Sequence, residues 1–398
     1  MMTELQQRIA AVDDAIYEEV AGLRHVLHAH PDLSRKEYGT AAFLEKTLSD
    51  WGVHCHHVPD TAALIADIQG GLPGNQAVGI RADMDALPVT EAASCPFVSE
   101  NQGVMHACGH DIHMANLLGT ARILLRLRDS FAGTVRIVFQ PAEEVGRGAL
   151  EILRSGVLQE PPVKAFLAMH VSAELAAGEI RVKPEEATLS AQNFAIKLTG
   201  SGGHASTPHL TGDIILAASK IVCALQSVTS RRISHLEPAV ITVASIHGGT
   251  CNNVIPQELT MLGTIRAQND SLQPRLCEAI RDILRAQEIV SGVHGELVLQ
   301  HHVPSVYNDP VLTERFLRTA VAMVGAEHAA WAKFPFNAAE NFACFAHEVP
   351  SVFFRLGVSR DPAHAAPLHN AGFCAEDSAL RNAMRVTAAA ALDFLDFV

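Results

Sequence analysis

Val135-Arg-Ile-Val-Phe-Gln-Pro-Ala-Glu-Glu144 runs from five apolar-rich residues through a proline into two adjacent carboxylates. A short, nearly continuous apolar run of this kind reads as a strand buried on both faces, the pattern of parallel sheets. Val78-Gly-Ile-Arg81 and Ala165-Phe-Leu-Ala-Met169 repeat it, and Ser351-Val-Phe-Phe-Arg-Leu356 adds one more strand late in the chain. Amphipathic stretches from Ile112 to Leu127, Gly148 to Leu158 and Asp377 to about Leu395 lie between or after these runs. Residues Ala11 to about Trp51 also read as helices, with Ala21, Leu23, Val26 and Leu27 on one buried face and His30-Pro31 closing the first of them. Strands alternating with helices predict an α/β fold with a mainly parallel sheet.

A different rhythm fills the middle. Phe194 to Leu198, Ala239 to Ile246, Leu259 to Ile265 and Glu296 to His301 read as strands, with helices over Asp213 to Ser230 and Leu272 to Val290. The order is βαββαβ, a ferredoxin-like arrangement. The expected organisation is therefore a discontinuous catalytic domain, residues 1–186 and 305–398, with a smaller ferredoxin-like domain inserted at residues 187–304.

The whole chain has 398 residues, with 30 Lys and Arg against 43 Asp and Glu for a net charge of −13. That balance makes nucleic acid and anionic membrane surfaces poor partners. The first twenty residues lack the basic and apolar regions of a signal peptide. No apolar stretch reaches the ~18 residues of a membrane helix, since Lys220 and Gln226 interrupt Ile214 to Val228. Cytoplasmic location is the expectation. The eight cysteines show no paired spacing and read as mostly small, reduced, buried residues. Histidine, at 21, equals Phe, Trp and Tyr together, which directs attention to metal or acid–base chemistry.

In open parallel sheets, ligands bind beyond the carboxyl ends of the strands. Polar residues follow three of them: Asp83-Met-Asp85, Glu143-Glu144 and His170. Any one alone reads as a strand turning polar on leaving the core; three on one rim suggest a site. Met105-His-Ala-Cys-Gly-His-Asp-Ile-His113 holds the densest set of soft ligands. Cys108 and His110, two apart in a loop, suit one metal centre, and two readings stay open from this segment: metal ligands, or a buried thiol beside a helix-start histidine. His106 and His113 are weaker candidates, His113 more suited to packing or to orienting a ligand. Beside a buried strand and a proline, Glu143 and Glu144 point in different directions, so one carboxylate can hold metal while the other removes a proton from the attacking water. His369 lies in a loop with no structural reason for an imidazole.

Together, Arg81-Ala-Asp-Met-Asp-Ala-Leu-Pro88, Met105-His-Ala-Cys-Gly-His-Asp111, Phe139-Gln-Pro-Ala-Glu-Glu144, Met169-His170, Gly202-Gly-His-Ala-Ser206, Gly248 to Pro256, Gly263-Thr-Ile-Arg266 and Leu368-His369 resemble successive signatures of the N-acyl-amino-acid amidohydrolases. These are metal-dependent exopeptidase relatives that include hippurate and indoleacetyl-amino-acid hydrolases. The resemblance runs from about His25 to Asp377. It implies two divalent metal ions per subunit, zinc or manganese, held by Cys108, His110, Glu144, His170 and His369, with Cys108 in the bridging place that other branches give to aspartate. It further implies Glu143 as catalytic base and Asp83 as an orienting residue. His204 would stabilise charge across a homodimer formed through the inserted domain, and Asn253 and Arg266 would hold the substrate carboxylate. Asn341, in Ala338-Ala-Glu-Asn-Phe342, stands where the family usually has aspartate. The function implied is hydrolysis of N-acyl or N-aroyl amino acids. A dipeptidase of the same chemistry is the near alternative, and a non-catalytic, metal-loaded amino-acid-binding protein is the distant one. Acyl group, side chain and metal identity leave no signature in the sequence.

Overall fold

The computed structural model describes residues 3–92 and 95–397. The chain forms two compact units, one of residues up to Ala187, Val306–Pro335 and Asn341 onward, the other of Thr188–Ser305 with Phe336–Glu340. The division falls one residue beyond the sequence boundaries 187 and 304. Phe336–Glu340 joins the second unit because Thr188 bridges Phe336 and the Leu189 N–H donates to the Ala338 carbonyl.

The first unit is built on an eight-stranded sheet. Its order is Cys55–His57, Leu64–Gln69, Ala132–Gln140, Leu72–Asp83, Val163–Ala176, Ser351–Ser359, Ile180–Val182 and Ala329–Trp331. The four central strands pair in parallel, and antiparallel pairs flank them. Leu64–Gln69 is apolar enough to be a strand but escaped the sequence reading, as did the three-residue rim strands, which are too short to show a period. Period-two alternation sorts the strand Leu72–Asp83 cleanly. Val78, Ile80 and Ala82 enter the main core, which includes residues of helices Glu4–Ala29, His110–Arg126, Pro310–Val324 and Ala379–Leu395. Gly79, Arg81 and Asp83 alternate with them, and Gly79 pairs with Phe166. A Cβ at Gly79 would lie 2.3 Å from the Phe166 ring, so only glycine fits beneath it.

The first helix, Glu4–Ala29, starts earlier than its apolar spacing suggested because Thr3 and Gln6 form a capping box. Its buried stripe also differs. Val26 is exposed, whereas Arg24 and His28 are buried. The reason is Asp111, itself buried, which accepts from Arg24 Nε at 2.9 Å and pairs with His28 Nδ1 at 3.0 Å. Arg24 also donates to the Ala375 carbonyl at 2.9 Å and to Asp377. Arg24→Met keeps much of the volume but leaves the buried Asp111 carboxylate with His28 as its remaining partner, so urea unfolding is expected to show a loss of about 3 kcal/mol. A loss under about 1 kcal/mol would mean that Arg24 merely fills space.

The second unit carries a four-stranded antiparallel sheet in the order Ala239–His247, Glu258–Ala267, Ser190–Thr199, His294–Val303. Helices Ile214–Ser227 and Leu272–Ser291 pack on it, burying Ile221, Leu225, Leu276 and Ile280 with Phe194 and Met261. Contrary to the apolar-run expectation, Ile214–Arg232 is long and apolar enough to cross a membrane by length and composition. The helix continues past Ser227 through a π-helical turn, Val228–Arg232, which lengthens the run. Its buried face is part of this core.

One cysteine expectation is corrected as well. Cys95 and Cys374, 279 residues apart, form a disulfide. Sequence spacing could not reveal it, because the fold alone brings these two loops together. Cys55, Cys108, Cys223, Cys251, Cys277 and Cys344 are free thiols, with Cys223 and Cys251 exposed rather than buried.

Candidate active site

Strand ends and one helix start build the site. The strand Leu72–Asp83 delivers Asp83, and the turn after Ala132–Gln140 delivers Glu143 and Glu144. His170 lies within the strand Val163–Ala176 rather than just past it. Pairing with Leu72–Asp83 stops at Ala168, however, which frees that edge for the loop leading to His110. In that loop Gly109 has φ of 75°, and a Cβ there would meet Val171 at 2.6 Å. Glycine is therefore required between Cys108 and His110. His369, also left-handed at φ 65°, is tied to the same loop by its N–H donating to the Ala107 carbonyl at 2.8 Å.

Ligand atoms of Cys108, His110 and His170 lie within 4.8 Å of one another, as do those of Cys108, Glu144 and His369. Cys108 belongs to both groups. The polar atoms left over agree with a cation site. His110 Nδ1 donates to the Asp85 carbonyl at 2.7 Å and His170 Nδ1 to the Val171 carbonyl at 2.8 Å. Both Nε2 atoms are thereby left with a lone pair toward the site, the usual arrangement of metal-binding histidines. His110 Nε2 is buried with no hydrogen-bond partner, and Glu144 Oε1 is buried facing His369 Nε2 at 3.4 Å. Burial, reinforced by the charge on Glu144, pushes the Cys108 thiol well above its ordinary value, and burial together with His113 holds His170 well below its own. A cation supplies the charge that would let Cys108 bind as thiolate. Thiolate, imidazole and carboxylate in these groups fit divalent transition metals.

A further cluster, Asp83, His110 and His113, is closed to metal at His113. His113 Nδ1 donates to Asp83 at 2.5 Å, and its Nε2 accepts the Val171 N–H at 3.0 Å. It thus braces the residue after His170. Asp83 is held in turn by Arg81 Nη1 at 2.8 Å. His106 is buried with neither ring nitrogen hydrogen-bonded and belongs to none of these groups.

Glu143 accepts the Asn341 N–H on Oε1 at 3.0 Å. The Asn341 side chain turns elsewhere: its Oδ1 accepts from Gln140 Nε2 at 2.9 Å and from the Ala149 N–H at 3.0 Å, while Nδ2 donates to Cys344 Sγ at 3.6 Å. An aspartate could accept the same two bonds, so asparagine preserves them and adds one donor. Sequence reasoning did not anticipate the Asn341 backbone contact, which no residue pattern signals. It also assigned nothing to Asp85, although the Asp83-x-Asp85 spacing was in view.

His204, Asn253 and Arg266 belong to the second unit. Gly203–His204 pairs with Val254–Ile255, and the Ala205 N–H donates to the Asn253 carbonyl at 3.0 Å, so the loops of His204 and Asn253 adjoin. His204 is exposed, with Nδ1 engaged by Ser206. Arg266 is half-buried, with Nη1 donating to Thr264 Oγ1 and to the Ile265 carbonyl, and among the described residues no carboxylate lies in ion-pair range of it. His54, His56, His57 and His364 are exposed.

Residues 79–393 match peptidase family M20/M25/M40. The chain belongs to this family. It is 34% identical over 391 residues to the N-acetylcysteine deacetylase of Bacillus subtilis (strain 168), covering 97% of this chain and 99% of that one. The N-acyl-L-amino acid amidohydrolase of Geobacillus stearothermophilus is 37% identical over 291 residues, 73% of this chain and 77% of that one. The crystal structure of the Bacillus subtilis YXEP protein, described as a dinuclear metal binding peptidase from the M20 family, superposes with a TM-score of 0.84 at 31% identity, over 97% of this chain and 100% of that one. This member of the family is a metal-dependent amidohydrolase, and its α/β fold with an inserted domain is that of its relatives.

Proposed function

We propose that the chain hydrolyses the amide of N-acyl or N-aroyl amino acids, releasing a carboxylic acid and a free amino acid. The observation that carries this reading is Glu143, a carboxylate beside the proposed ligand Glu144, fixed by the Asn341 N–H and not needed by a protein that only binds. Cys108, His110, Glu144, His170 and His369 would hold two divalent ions, zinc or manganese, which supply Lewis acidity to the acyl carbonyl and acidity to the attacking water. Glu143 removes the proton from that water and returns it to the leaving amine. Asp83 and His113 keep the neighbouring strand end and imidazoles in place. Arg266, which meets no carboxylate among the described residues, and Asn253 would receive the substrate α-carboxylate, so an acidic protein would still offer a local anion site. The relatives named for N-acetylcysteine and N-acyl-L-amino acids support this substrate class.

Hydrolysis of acetyl, benzoyl and indoleacetyl amino acids and of dipeptides, with zinc or manganese added and released amine measured, tests the reading. Acylated amino acids are expected to be turned over fastest; dipeptides alone being cleaved would transfer the chain to the peptidase alternative.

The proposal includes a homodimer through the inserted domains, with His204 reaching the partner's site to stabilise charge on the carbonyl oxygen. Glu143→Gln and His204→Ala proteins, each inactive, are then expected to complement when mixed under conditions of subunit exchange. Random pairing makes half the dimers mixed with one good site of two, so activity returns to about a quarter of wild type. Recovery no greater than the sum of the two variants, with exchange verified, would place His204 in its own subunit's site or outside catalysis.

A further inference from the structure

Asp85 is almost fully buried, and neither of its carboxylate oxygens faces solvent chemistry. Oδ1 accepts the Glu143 N–H at 3.1 Å, and Oδ2 accepts the Glu144 N–H at 3.0 Å and the Ser34 hydroxyl at 2.7 Å. Its backbone carbonyl is the acceptor for His110 Nδ1. One residue thus touches three members of the site, and through three different atoms. At the start of the turn it grips, Ala142 has φ of 55°, uncommon for a residue with a side chain, and its N–H is taken by Glu37 Oε1 at 2.7 Å. Three successive N–H groups, at residues 142, 143 and 144, therefore point into two buried carboxylates.

We propose that Asp85 is a positioning residue that fixes the spacing between Glu143 and Glu144 by accepting both of their backbone N–H groups, one on each carboxylate oxygen. The inference rests on the reading of Glu143 as base and Glu144 as ligand. Only a carboxylate satisfies the geometry. An asparagine accepts with one oxygen and turns an NH2 toward the other donor, so one end of the turn is repelled while the other stays held. The base and the ligand then shift relative to each other, and a displacement of about 1 Å at a reacting group is enough to cost ~100-fold in rate.

Asp85→Asn is expected to lower kcat about 10–100-fold at saturating metal, with KM within about 3-fold of wild type, and to weaken divalent metal binding to the chelator-stripped protein about 10–100-fold in a direct zinc titration. A residue that supports only the fold would move the melting temperature and leave these ratios alone. Because Asp85 acts through Glu143, adding Asp85→Asn to Glu143→Gln should cost almost nothing further in kcat. Wild-type kcat and zinc affinity in Asp85→Asn, or a full additional loss in the double variant, would overturn the assignment. Should Asp85→Asn not fold, Ser34→Ala removes one donor to the same carboxylate and is expected to lower kcat about 3-fold, again only when Glu143 is present; no change would count against the proposal. Full turnover in Glu143→Gln removes the underlying reading of the site, whereas an inactive Glu143→Gln beside an unaltered Asp85→Asn removes only the role of Asp85.

Discussion

Glu143→Gln is expected to reduce kcat at least ~100-fold, and up to ~10,000-fold, while the protein keeps its metal and its substrate affinity. The amide is nearly isosteric with the carboxylate, and its oxygen can still accept the Asn341 N–H that holds Oε1 in the native protein. The backbone bond from Glu143 to Asp85 is untouched by the substitution. What disappears is the ability to take a proton from water and give it to the amine. Elemental analysis should therefore return wild-type metal content, and a non-hydrolysable substrate analogue should bind as before. Unchanged turnover would remove Glu143 from catalysis.

Cys108→Ala carries the second large effect, on metal rather than on the proton. The thiol is the one group common to both ligand clusters, Cys108 with His110 and His170 and Cys108 with Glu144 and His369. Its removal should weaken both, so metal content after dialysis is expected to fall at both positions, with affinity reduced at least ~100-fold; loss of a group that merely supports a ligand already costs 10–100-fold. His110→Ala removes a ligand from the cluster with Cys108 and His170 and from the group that His110 forms with Glu143 and Glu144, and leaves the cluster of Cys108, Glu144 and His369 complete. Cys108→Asp restores an anion able to reach two ions and should recover part of the metal content, with preference moving from zinc toward manganese as the soft thiolate is replaced by oxygen. Full occupancy in Cys108→Ala would exclude the thiolate from the metal site.

The departure at Asn341 shows how a residue can look functional in sequence and act otherwise in the fold. Its side chain is spent on Gln140, Ala149 and Cys344, and its influence on the site passes through its backbone N–H. The charge that an aspartate would bring is absent from the Arg81–Gln140–Asn341 chain, whose one cation is already paired with Asp83.

Local pattern determined the elements and the chemical inventory of this protein. Continuous apolar runs specify strands buried on both faces wherever they occur, and period-two alternation decides which of Val78 to Asp83 face the helices, because each follows from backbone geometry acting over a few residues. The same locality made Cys108-Gly-His110 and Glu143-Glu144 legible, since their partners in each motif are one or two residues away. Tertiary structure alone decided everything that depends on a contact between distant segments. Arg24 and His28 lie on the buried face of their helix because Asp111 lies opposite, and no helical periodicity encodes a carboxylate 83 and 87 residues further on. Cys95 meets Cys374 across 279 residues. Asp85 and Asn341 grip Glu143 from positions 58 and 198 residues away. A hydrogen bond of this kind is set by where two chain segments are packed, to a few tenths of an ångström, and that is fixed by the whole core rather than by the residues that make the bond.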